Sequence, residues 1–224
     1  MSTPKLTKQL EIWTTEFGKE YTDRNPATPD AMDAVMEAYY GGVKKSDIFR
    51  RFLSEDRIPT GRVLEVGCNV GAQLGILNSV NPKLELYGID PQAYALSRAK
   101  AANPEFNFLP ATAFDLPFKD SYFDAVMTND VLIHISPADL PDALAEIHRV
   151  SKRYIFCHEY FAEEVREVNY KGHEALLWKM NYMSQYLTQF PDLTVVDEHY
   201  LEYPDPDGGP ALVDQISLLE KRTA

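Results

Sequence analysis

A glycine-rich segment and a later acidic residue have the spacing of a ligand site. Residues 65–71, Glu-Val-Gly-Cys-Asn-Val-Gly, end one apolar run, and Asp90 ends the next run, 23 residues after Gly67. A glycine loop between a strand and a helix lets a ligand approach the backbone closely. An acidic residue at the end of the second strand can hold both hydroxyls of a ribose. The two features together predict a site for a ligand that contains a ribose.

The residues inside this loop favour one such ligand over another. The spacing of Gly67, Asn69 and Ala72 is close to the dinucleotide pattern, but the side chain of Asn69 would crowd a pyrophosphate. Glu65 would add a negative charge beside those phosphates. S-adenosylmethionine has no phosphate, and an acidic strand end attracts its sulfonium and ammonium groups. The loop therefore favours S-adenosylmethionine over NAD or another nucleotide.

Further cofactor contacts are predicted after the third and fourth strands and in the N-terminal arm. The segment at 112–114 can meet the adenine edge and ring, and the segment at 129–131 lies where ligands of parallel sheets bind. Arg24 in the arm can reach a carboxylate if the arm folds over the cofactor as a lid. The alternative is an ordinary helix packed by its aromatic residues. The predicted cofactor-binding residues are Tyr21, Arg24, Glu65, Gly67, Asn69, Gly71, Asp90, Thr112, Ala113, Phe114, Asn129, Asp130 and Val131.

Three histidines are candidates for catalysis. Methyl transfer needs aligned reactants, and it needs a base only when the acceptor must lose a proton. Histidine is the best-matched base at neutral pH. His134 ends the fourth strand, His158 ends the fifth, and His173 lies in the segment that follows. A structural hydrogen bond is the alternative role for each. His148 is predicted to be structural, and no motif surrounds His199 in its later strand.

A long insertion after the fifth strand is the predicted acceptor region. Residues 158–192 hold many polar and aromatic groups, which indicate a pocket wall. Apolar residues recur at helical steps from Leu176 to Phe190, so an amphipathic helix is predicted there. The predicted substrate-binding residues are Trp13, His134, Glu159, Tyr160, Tyr170, His173 and Asn181.

Strands and helices alternate from Arg62 onward, which predicts a mainly parallel sheet with helices on both faces. The fold class is α/β: a Rossmann-like, seven-stranded mixed sheet with an N-terminal helical arm. Residues 1–60 form the arm and first helices, and 61–224 the main domain. The predicted strands are 63–66, 84–89, 106–109, 123–128, 153–157, 197–200 and 215–221. The predicted helices are 31–53 with a break at Gly41-Gly42, 72–78, one opened by Asp90-Pro91 and one opened by Ser136. A turn at 204–210 makes the last strand pairing antiparallel.

These motifs resemble those of class I methyltransferases, and more closely those of the pseudaminic acid biosynthesis-associated methylases. The matching residues are Glu16-Phe17-Gly18, Tyr21, Arg24, Asn25, 65–71, 114–118, 131–135, 159–161, Glu167, Val168, Tyr170, Gly172, His173, 190–193 and 218–221. The resemblance covers nearly the whole chain and implies S-adenosylmethionine as cofactor and a sugar-type acceptor. Lys171 and Met180-Asn181 depart from the family pattern in the acceptor region.

Composition limits the remaining function classes. The chain has 224 residues, a formal charge of −12 and 45% hydrophobic residues, which is typical of a globular protein. No basic face favours nucleic acid, and no apolar run approaches the ~20 residues of a membrane span. The two cysteines, Cys68 and Cys157, cannot form a zinc site alone, and no metal is predicted. The expectation is a cytoplasmic monomer or homodimer.

The sequence thus predicts methyl transfer from S-adenosylmethionine to a small polar metabolite, such as a sugar, a nucleotide sugar or an amino-acid-like acceptor. Two alternatives stay open. One is methylation of a protein or peptide side chain, and the other is a non-catalytic protein that binds S-adenosylmethionine. The identity of the acceptor and of its methylated atom does not follow from the chain.

Overall fold

The computed structural model describes residues 5–205, 209 and 211–222. Two compact units divide the chain, unit 1 up to residue 118 and unit 2 from residue 119 onward. The helices are α1 (Lys8–Trp13), α2 (Glu16–Arg24), α3 (Pro29–Tyr39), α4 (Lys45–Leu53), α5 (Ala72–Val80), α6 (Ala93–Ala102), α7 (Leu140–Val150) and α8 (Tyr182–Gln189). The strands are β1 (Gly61–Val66), β2 (Leu84–Asp90), β3 (Asn107–Pro110), β4 (Phe123–Asn129), β5 (Ser151–Tyr160), β6 (Arg166–Tyr170), β7 (His173–Lys179), β8 (Leu193–Tyr203) and β9 (Leu212–Lys221).

Seven strands form one mixed sheet in the order β3-β2-β1-β4-β5-β9-β8, and β6 and β7 form a separate hairpin. In unit 1, β2 pairs in parallel with both β1 and β3. In unit 2, β4 and β5 are parallel, and β9 runs antiparallel to both β5 and β8. The predicted fold class and the antiparallel final pairing are therefore confirmed. Residues 206–208 and 210 of the predicted turn at 204–210 lie outside the described residues.

Unit 1 follows its sequence pattern closely. The last four residues of β1 are buried, which is typical of a parallel strand covered on both faces. The predicted break between α3 and α4 is confirmed, because Gly41 and Gly42 both have positive φ angles, of 61° and 112°. Beyond the break, α4 is amphipathic and buries one face. Its buried apolar residues are Ile48, Phe49, Phe52 and Leu53.

Unit 2 is built around the long strand β5, whose residues from Tyr154 to Glu159 are all buried. Helix α7 buries apolar side chains at helical spacing, among them Leu144 and Ile147. The ammonium of Lys221 on β9 donates to the carbonyl oxygens of His148 (2.5 Å) and Ser151 (2.6 Å). A cation at the end of α7 satisfies carbonyls that the helix leaves unpaired.

Two predicted helix starts were wrong by a few residues. Helix α6 begins at Ala93, and Gln92 caps it by accepting from the amide of Tyr94, so Pro91 precedes the helix rather than opening it. Ser136 forms a turn of its own in front of α7, with its hydroxyl 2.6 Å from Asp139 Oδ2. A serine side chain can close a turn as well as start a helix, and Ser136 closes a turn.

The amphipathic helix predicted from Leu176 to Phe190 was wrong over its first part. Leu176, Leu177 and Trp178 are all buried, and three consecutive buried residues fit a covered strand rather than a helical stripe. The hairpin turns at Lys171 and Gly172, whose φ angles of 51° and 84° are those of a two-residue type I′ turn. Only α8 is helical here. No helix among the described residues is long and apolar enough to cross a membrane.

Candidate cofactor and acceptor sites

The glycine loop of unit 1 is built by backbone conformation. Gly67, Asn69 and Gly71 have φ angles of 72°, 46° and 74°, and the loop lies between the end of β1 and the start of α5. The amides of Gly67 and Cys68 donate to the carbonyl of Ile89 at 2.8 and 2.9 Å, which fixes the loop against β2. A Cβ at Gly71 would lie 2.9 Å from the Phe108 ring, so only glycine fits there.

Asp90 ends β2 and faces this loop. Its Oδ2 accepts from the amide of Asn69 (2.9 Å), and its Oδ1 accepts from the amide of Gln92 (2.8 Å). Burial raises the pKa of Asp90 to about 6, and the two amide donors oppose that rise. A carboxylate oxygen that accepts one amide can accept a second donor, so both oxygens can also take a ribose hydroxyl.

Three other polar side chains lie in the loop or directly after it. Glu65 is buried at the end of β1. Burial raises the pKa of the Cys68 thiol, and the negative charges of Asp90 and Glu65 add to the rise. Among the described residues, Asn69 Oδ1 and Gln73 Oε1 are buried carbonyl oxygens without a hydrogen-bond donor. Buried acceptors of this kind suit a ligand that brings N–H donors, such as an ammonium. Sequence reasoning missed Gln73, although it lies in the first turn of α5, directly after the glycine loop.

The loop after β3 holds the predicted adenine contacts. The hydroxyl of Thr112 accepts from the amide of Phe114 (3.3 Å), and Thr112 bridges to Asp115. Ala113 is buried, and the ring of Phe114 is half-buried with Lys5 Nζ 5.1 Å from its centre. The structure therefore forms a tight turn at this position, and all three predicted residues are in it.

The arm contacts the glycine loop through Thr22. Asn69 Nδ2 donates to Thr22 Oγ1 (3.3 Å), and Gln92 Nε2 donates to the carbonyl of Trp13 (3.2 Å). The Trp13 ring packs edge-on against Tyr21, with ring centres 5.0 Å apart. Arg24 is exposed. The arm contacts the loop through Thr22, which sequence reasoning did not single out, and the lid stays a prediction.

Unit 2 places its predicted residues at the ends of β4 and β5. Asn129 pairs with His158 in the strand register, and the amide of Asp130 donates to the His158 carbonyl (3.0 Å). Asp130 has a φ of 55°, and Val131 follows it, accepting from the amide of His134 at the end of a 3₁₀ turn that covers Leu132–His134. Non-glycine residues in this conformation are uncommon, and they cluster at active sites and switch regions.

Glu159 is a fully buried carboxyl group in unit 2. Its Oε2 accepts from the amide of Ile133 (3.3 Å) in the 3₁₀ turn. Burial raises the pKa of Glu159 to about 8, the negative charge of Asp130 adds to the rise, and the Thr128 hydroxyl opposes it. Glu159 is therefore mostly protonated at pH 7 and can donate a hydrogen bond.

His134 is held between the 3₁₀ turn and the hairpin. Its Nδ1 lies 2.7 Å from the carbonyl oxygen of Leu176, and its ring is tilted against Tyr170 with centres 5.3 Å apart. Burial lowers the pKa of His134 to about 4, so the ring is neutral at pH 7. A neutral ring beside a carbonyl carries its proton on Nδ1 and has its lone pair on Nε2.

His158 is buried in unit 2 beside an acid that sequence reasoning missed. His158 is 1% exposed, and its Nε2 lies 3.5 Å from Oδ2 of Asp214 on β9. The hydroxyl of Tyr203 on β8 donates to Asp214 Oδ1 (2.9 Å). No motif surrounds Asp214 or Tyr203 in the sequence. Alternation within β8 and β9 was the available signal, since it places both residues on one sheet face.

The hairpin and α8 hold the remaining predicted residues. His173 pairs with Tyr170 across the hairpin turn, which brings these two together. Tyr160 ends β5, and Lys179 Nζ lies 5.3 Å from its ring centre. Asn181 caps α8, because its Oδ1 accepts from the amide of Ser184 (2.9 Å). The cap gives Asn181 a structural role that sequence reasoning did not foresee.

Comparison with known proteins agrees with this geometry. A family model described as a methyltransferase domain matches residues 64–154, which include the glycine loop and Asp90. An uncharacterised methyltransferase of Schizosaccharomyces pombe is 33% identical over 145 residues, covering 59% of this chain and 45% of that protein. A tRNA (carboxymethyluridine(34)-5-O)-methyltransferase of Saccharomyces cerevisiae is 29% identical over 105 residues, covering 44% of this chain and 36% of that protein.

A solved structure matches the fold along the whole chain. It is the Burkholderia thailandensis 1,6-didemethyltoxoflavin-N1-methyltransferase with bound 1,6-didemethyltoxoflavin and S-adenosylhomocysteine. Its TM-score is 0.69 at 16% identity, over all of this chain and 94% of that one. The chain spans less than half the length of the curated relatives that it matches. The chain therefore shares the fold of the Burkholderia thailandensis methyltransferase, and residues 64–154 match the methyltransferase domain model.

Proposed function

We propose that the protein transfers a methyl group from S-adenosylmethionine to a small polar acceptor: a sugar, a nucleotide sugar or an amino-acid-like metabolite. The observation that carries the proposal is the loop of unit 1, where the Asp90 carboxylate is fixed by the amides of Asn69 and Gln92. This arrangement suits a ribose, and the buried carboxyl group of Glu65 suits a cationic cofactor.

The polar groups of unit 1 fit S-adenosylmethionine better than a dinucleotide. The buried oxygens Asn69 Oδ1 and Gln73 Oε1 would accept from the ammonium of the methionine part. The buried carboxyl group of Glu65 would favour the positive charge of the cofactor and disfavour a pyrophosphate. When bound, the cofactor supplies a methyl carbon activated by the positive sulfur. Thr112, Ala113 and Phe114 remain the proposed adenine contacts, and Tyr21 and Arg24 the proposed contacts from the arm.

Unit 2 supplies the groups that we assign to the acceptor. His134, His158 and His173 are the proposed proton-handling residues, and Glu159 offers a protonated carboxyl at neutral pH. The resemblance to the pseudaminic acid biosynthesis-associated methylases supports a sugar-type acceptor. The yeast relative acts on tRNA by its name, but the −12 charge of this chain disfavours a nucleic acid.

Methyl transfer is tested directly with labelled cofactor. We would incubate the protein with [methyl-³H]S-adenosylmethionine and four separate acceptor sets: amino sugars with nucleotide sugars, amino acids, a peptide mixture, and total tRNA. The control is Asp90→Asn, which keeps the size of the side chain and removes the negative charge that would bind the ribose hydroxyls.

We expect label in the sugar or amino-acid set, and at least tenfold less with Asp90→Asn. Label in peptides or tRNA would show that the acceptor belongs to that class and not to the small metabolites, and it would still support methyl transfer. Binding of S-adenosylmethionine without label in any set favours a non-catalytic binding protein.

A further inference from the structure

Asn69 and Gln92 hold the Asp90 carboxylate of unit 1 from two sides. The amide of Asn69 donates to Oδ2 at 2.9 Å, and the amide of Gln92 donates to Oδ1 at 2.8 Å. Asp90 is 8% exposed, and a buried carboxylate is stabilised when donors point at its oxygens. Because each residue supplies one of the two donors, a displacement of either residue would change the orientation of the carboxylate. The positions of Asn69 and Gln92 therefore affect how well Asp90 can accept from a ribose.

The side chains of the same two residues bind the helices α1 and α2 of the arm. Asn69 Nδ2 donates to Thr22 Oγ1 on α2 at 3.3 Å. Gln92 Nε2 donates to the carbonyl oxygens of Trp13 and Thr15, each at 3.2 Å. Trp13 is the last residue of α1 and Thr15 is the N-cap residue of α2, so Gln92 binds the junction of the two helices. Each of the two residues thus holds the carboxylate with its backbone and the arm with its side chain.

A further set of contacts fastens α2 to α6, the helix that Gln92 caps. Asp23 Oδ1 on α2 accepts from the hydroxyl of Tyr94 at 2.7 Å and from the Arg98 guanidinium at 2.6 Å. Lys19 Nζ lies 5.6 Å from the centre of the Tyr94 ring. The side chains of Arg98 and Asp23 are 37% and 47% exposed, and an exposed ion pair contributes little to stability. Docking of the arm thus depends on several weak contacts, so a change at one of them can shift its equilibrium.

We propose that Asn69 and Gln92 couple docking of the arm to binding of the cofactor, and that Gln92 is a positioning residue for Asp90. This inference rests on the proposed function. A ribose that donates to Asp90 favours the positions in which both amides also donate to it. In those positions the side chains of Asn69 and Gln92 meet the arm, so the bound cofactor stabilises the docked arm. Coupling between two binding events is reciprocal, and the docked arm strengthens cofactor binding by the same factor.

One substitution separates the two roles of Gln92. Its Oε1 caps α6 by accepting from the amide of Tyr94 at 3.3 Å. In Gln92→Ser the backbone amide that donates to Asp90 remains, and serine is itself a preferred N-cap residue. The shorter side chain cannot reach the two carbonyl oxygens of the arm. Gln92→Ser therefore removes the contact with the arm and leaves the cap of α6 and the donor to Asp90 in place.

Three further variants complete the set. Thr22→Val removes the oxygen that accepts from Asn69, and the double variant of Gln92→Ser with Thr22→Val removes the contacts of both residues with the arm. Glu16→Gln is the matched control on α2, because the Glu16 carboxylate pairs with Lys19 in the same helix at 3.2 Å. It removes an ion pair that lies within α2.

Two measurements on the full chain test the coupling. Calorimetry gives the affinity for S-adenosylhomocysteine, which contains the ribose of the cofactor but no methyl group to transfer. Hydrogen exchange with mass spectrometry follows the amides of residues 8–24, which hold α1 and α2, in the ligand-free protein and at saturating S-adenosylhomocysteine. The exchange rates report docking of the arm. Their change on ligand binding reports the coupling, which a merely structural role of Gln92 would not alter.

In the wild type, saturating S-adenosylhomocysteine should slow exchange in the arm about tenfold, which is the coupling factor. Gln92→Ser should weaken ligand binding about fivefold and reduce this slowing to about twofold, because its arm is mostly undocked. Thr22→Val should lose about threefold in affinity. The double variant should lose less than the product of the single losses, about fifteenfold, because both changes act on one docking step. Glu16→Gln should match the wild type in both measurements.

Three results would overturn the proposal: a wild-type affinity in Gln92→Ser, arm exchange in the wild type that does not respond to the ligand, or a weaker affinity in Gln92→Ser with the wild-type slowing of exchange. The last result would mean that Gln92 acts on Asp90 independently of the arm. If Gln92→Ser does not fold, Thr22→Val decides by the same two readouts with smaller factors. A failure of the proposed function looks different: the wild type then binds no S-adenosylhomocysteine, whereas Gln92→Ser still speeds exchange of the arm in the ligand-free protein.

Discussion

The two units form their candidate sites by different means. In unit 1 the site is local: the loop between β1 and α5 has three residues with positive φ, and two backbone amides fix Asp90. In unit 2 the candidate site is formed by residues that are far apart in the chain. His158 on β5 lies beside Asp214 on β9, and His134 lies beside the Leu176 carbonyl. A ligand site made by the backbone can be recognised from a short motif, whereas one made by side chains requires the strand register.

The buried acids of the two units, Asp90 and Glu159, differ in their pKa values and therefore in their protonation at neutral pH. Asp90 and Glu159 are both desolvated, but the amides of Asn69 and Gln92 limit the pKa of Asp90 to about 6. Glu159 also accepts from backbone amides and the Thr128 hydroxyl, but burial and then the negative charge of Asp130 raise its pKa to about 8. Asp90 is therefore ionised at neutral pH and suited to accept from hydroxyls. Glu159 is mostly neutral and can donate.

The largest expected effect is on the pH dependence of stability. A neutral Glu159 stabilises the folded state fully below its unfolded pKa of 4.5, and this contribution is lost as pH rises through about 8. Glu159→Gln removes the ionisation. The unfolding free energy of the variant relative to the wild type should therefore increase by about 4 kcal/mol between pH 5 and 8. Urea unfolding at several pH values measures it.

Asp90→Asn is the matched variant from unit 1. The unfolding free energy of Asp90→Asn relative to the wild type should increase from pH 3.8 upward and level off above about pH 6, since the folded pKa of Asp90 is about 6. Parallel stability curves for the wild type and Glu159→Gln from pH 5 to 8 would show that Glu159 is ionised in the folded protein, and the electrostatic contrast between the units would fail.

Glycine substitutions test the contrast in backbone conformation. Gly71→Ala puts a Cβ at φ 74° and 2.9 Å from the Phe108 ring, so it should cost about 3 kcal/mol. Gly172→Ala in the hairpin turn has φ 84° with nothing within 4 Å of the added Cβ, and it should cost about 1 kcal/mol. Chemical denaturation of both variants gives the two values. Equal costs would mean that the loop relaxes around Gly71.

The smallest expected effect concerns the arm. Thr22→Val keeps the shape of the side chain and removes the oxygen that accepts from Asn69 Nδ2. Cofactor affinity should fall about threefold, which corresponds to one modest hydrogen bond. Thr14→Val is the control, because Thr14 lies in the same arm and bonds only within it, to the carbonyls of Leu10 and Glu11. Equal affinities of both variants would argue against a role for the arm at the loop.

The sequence predicted much of unit 1 and less of unit 2 for physical reasons. The glycine loop, Asp90 and the break at Gly41 depend on conformations that only a few residue types adopt, so they can be read locally. The hairpin was missed because spaced apolar residues fit a helix and a buried strand almost equally well. Asp214 and Tyr203 meet His158 only through the pairing of β5, β9 and β8, which local patterns do not contain.

The central claim is that the unit 1 loop binds S-adenosylmethionine through Asp90, and calorimetry tests it most directly. S-adenosylmethionine, S-adenosylhomocysteine and NAD would be titrated into the wild type, Asp90→Asn and Glu85→Gln, an exposed control on the same strand. We predict dissociation constants on the order of micromolar for the first two ligands, at least tenfold weaker with Asp90→Asn and unchanged with Glu85→Gln. Binding of NAD without either of the other two ligands would contradict the claim.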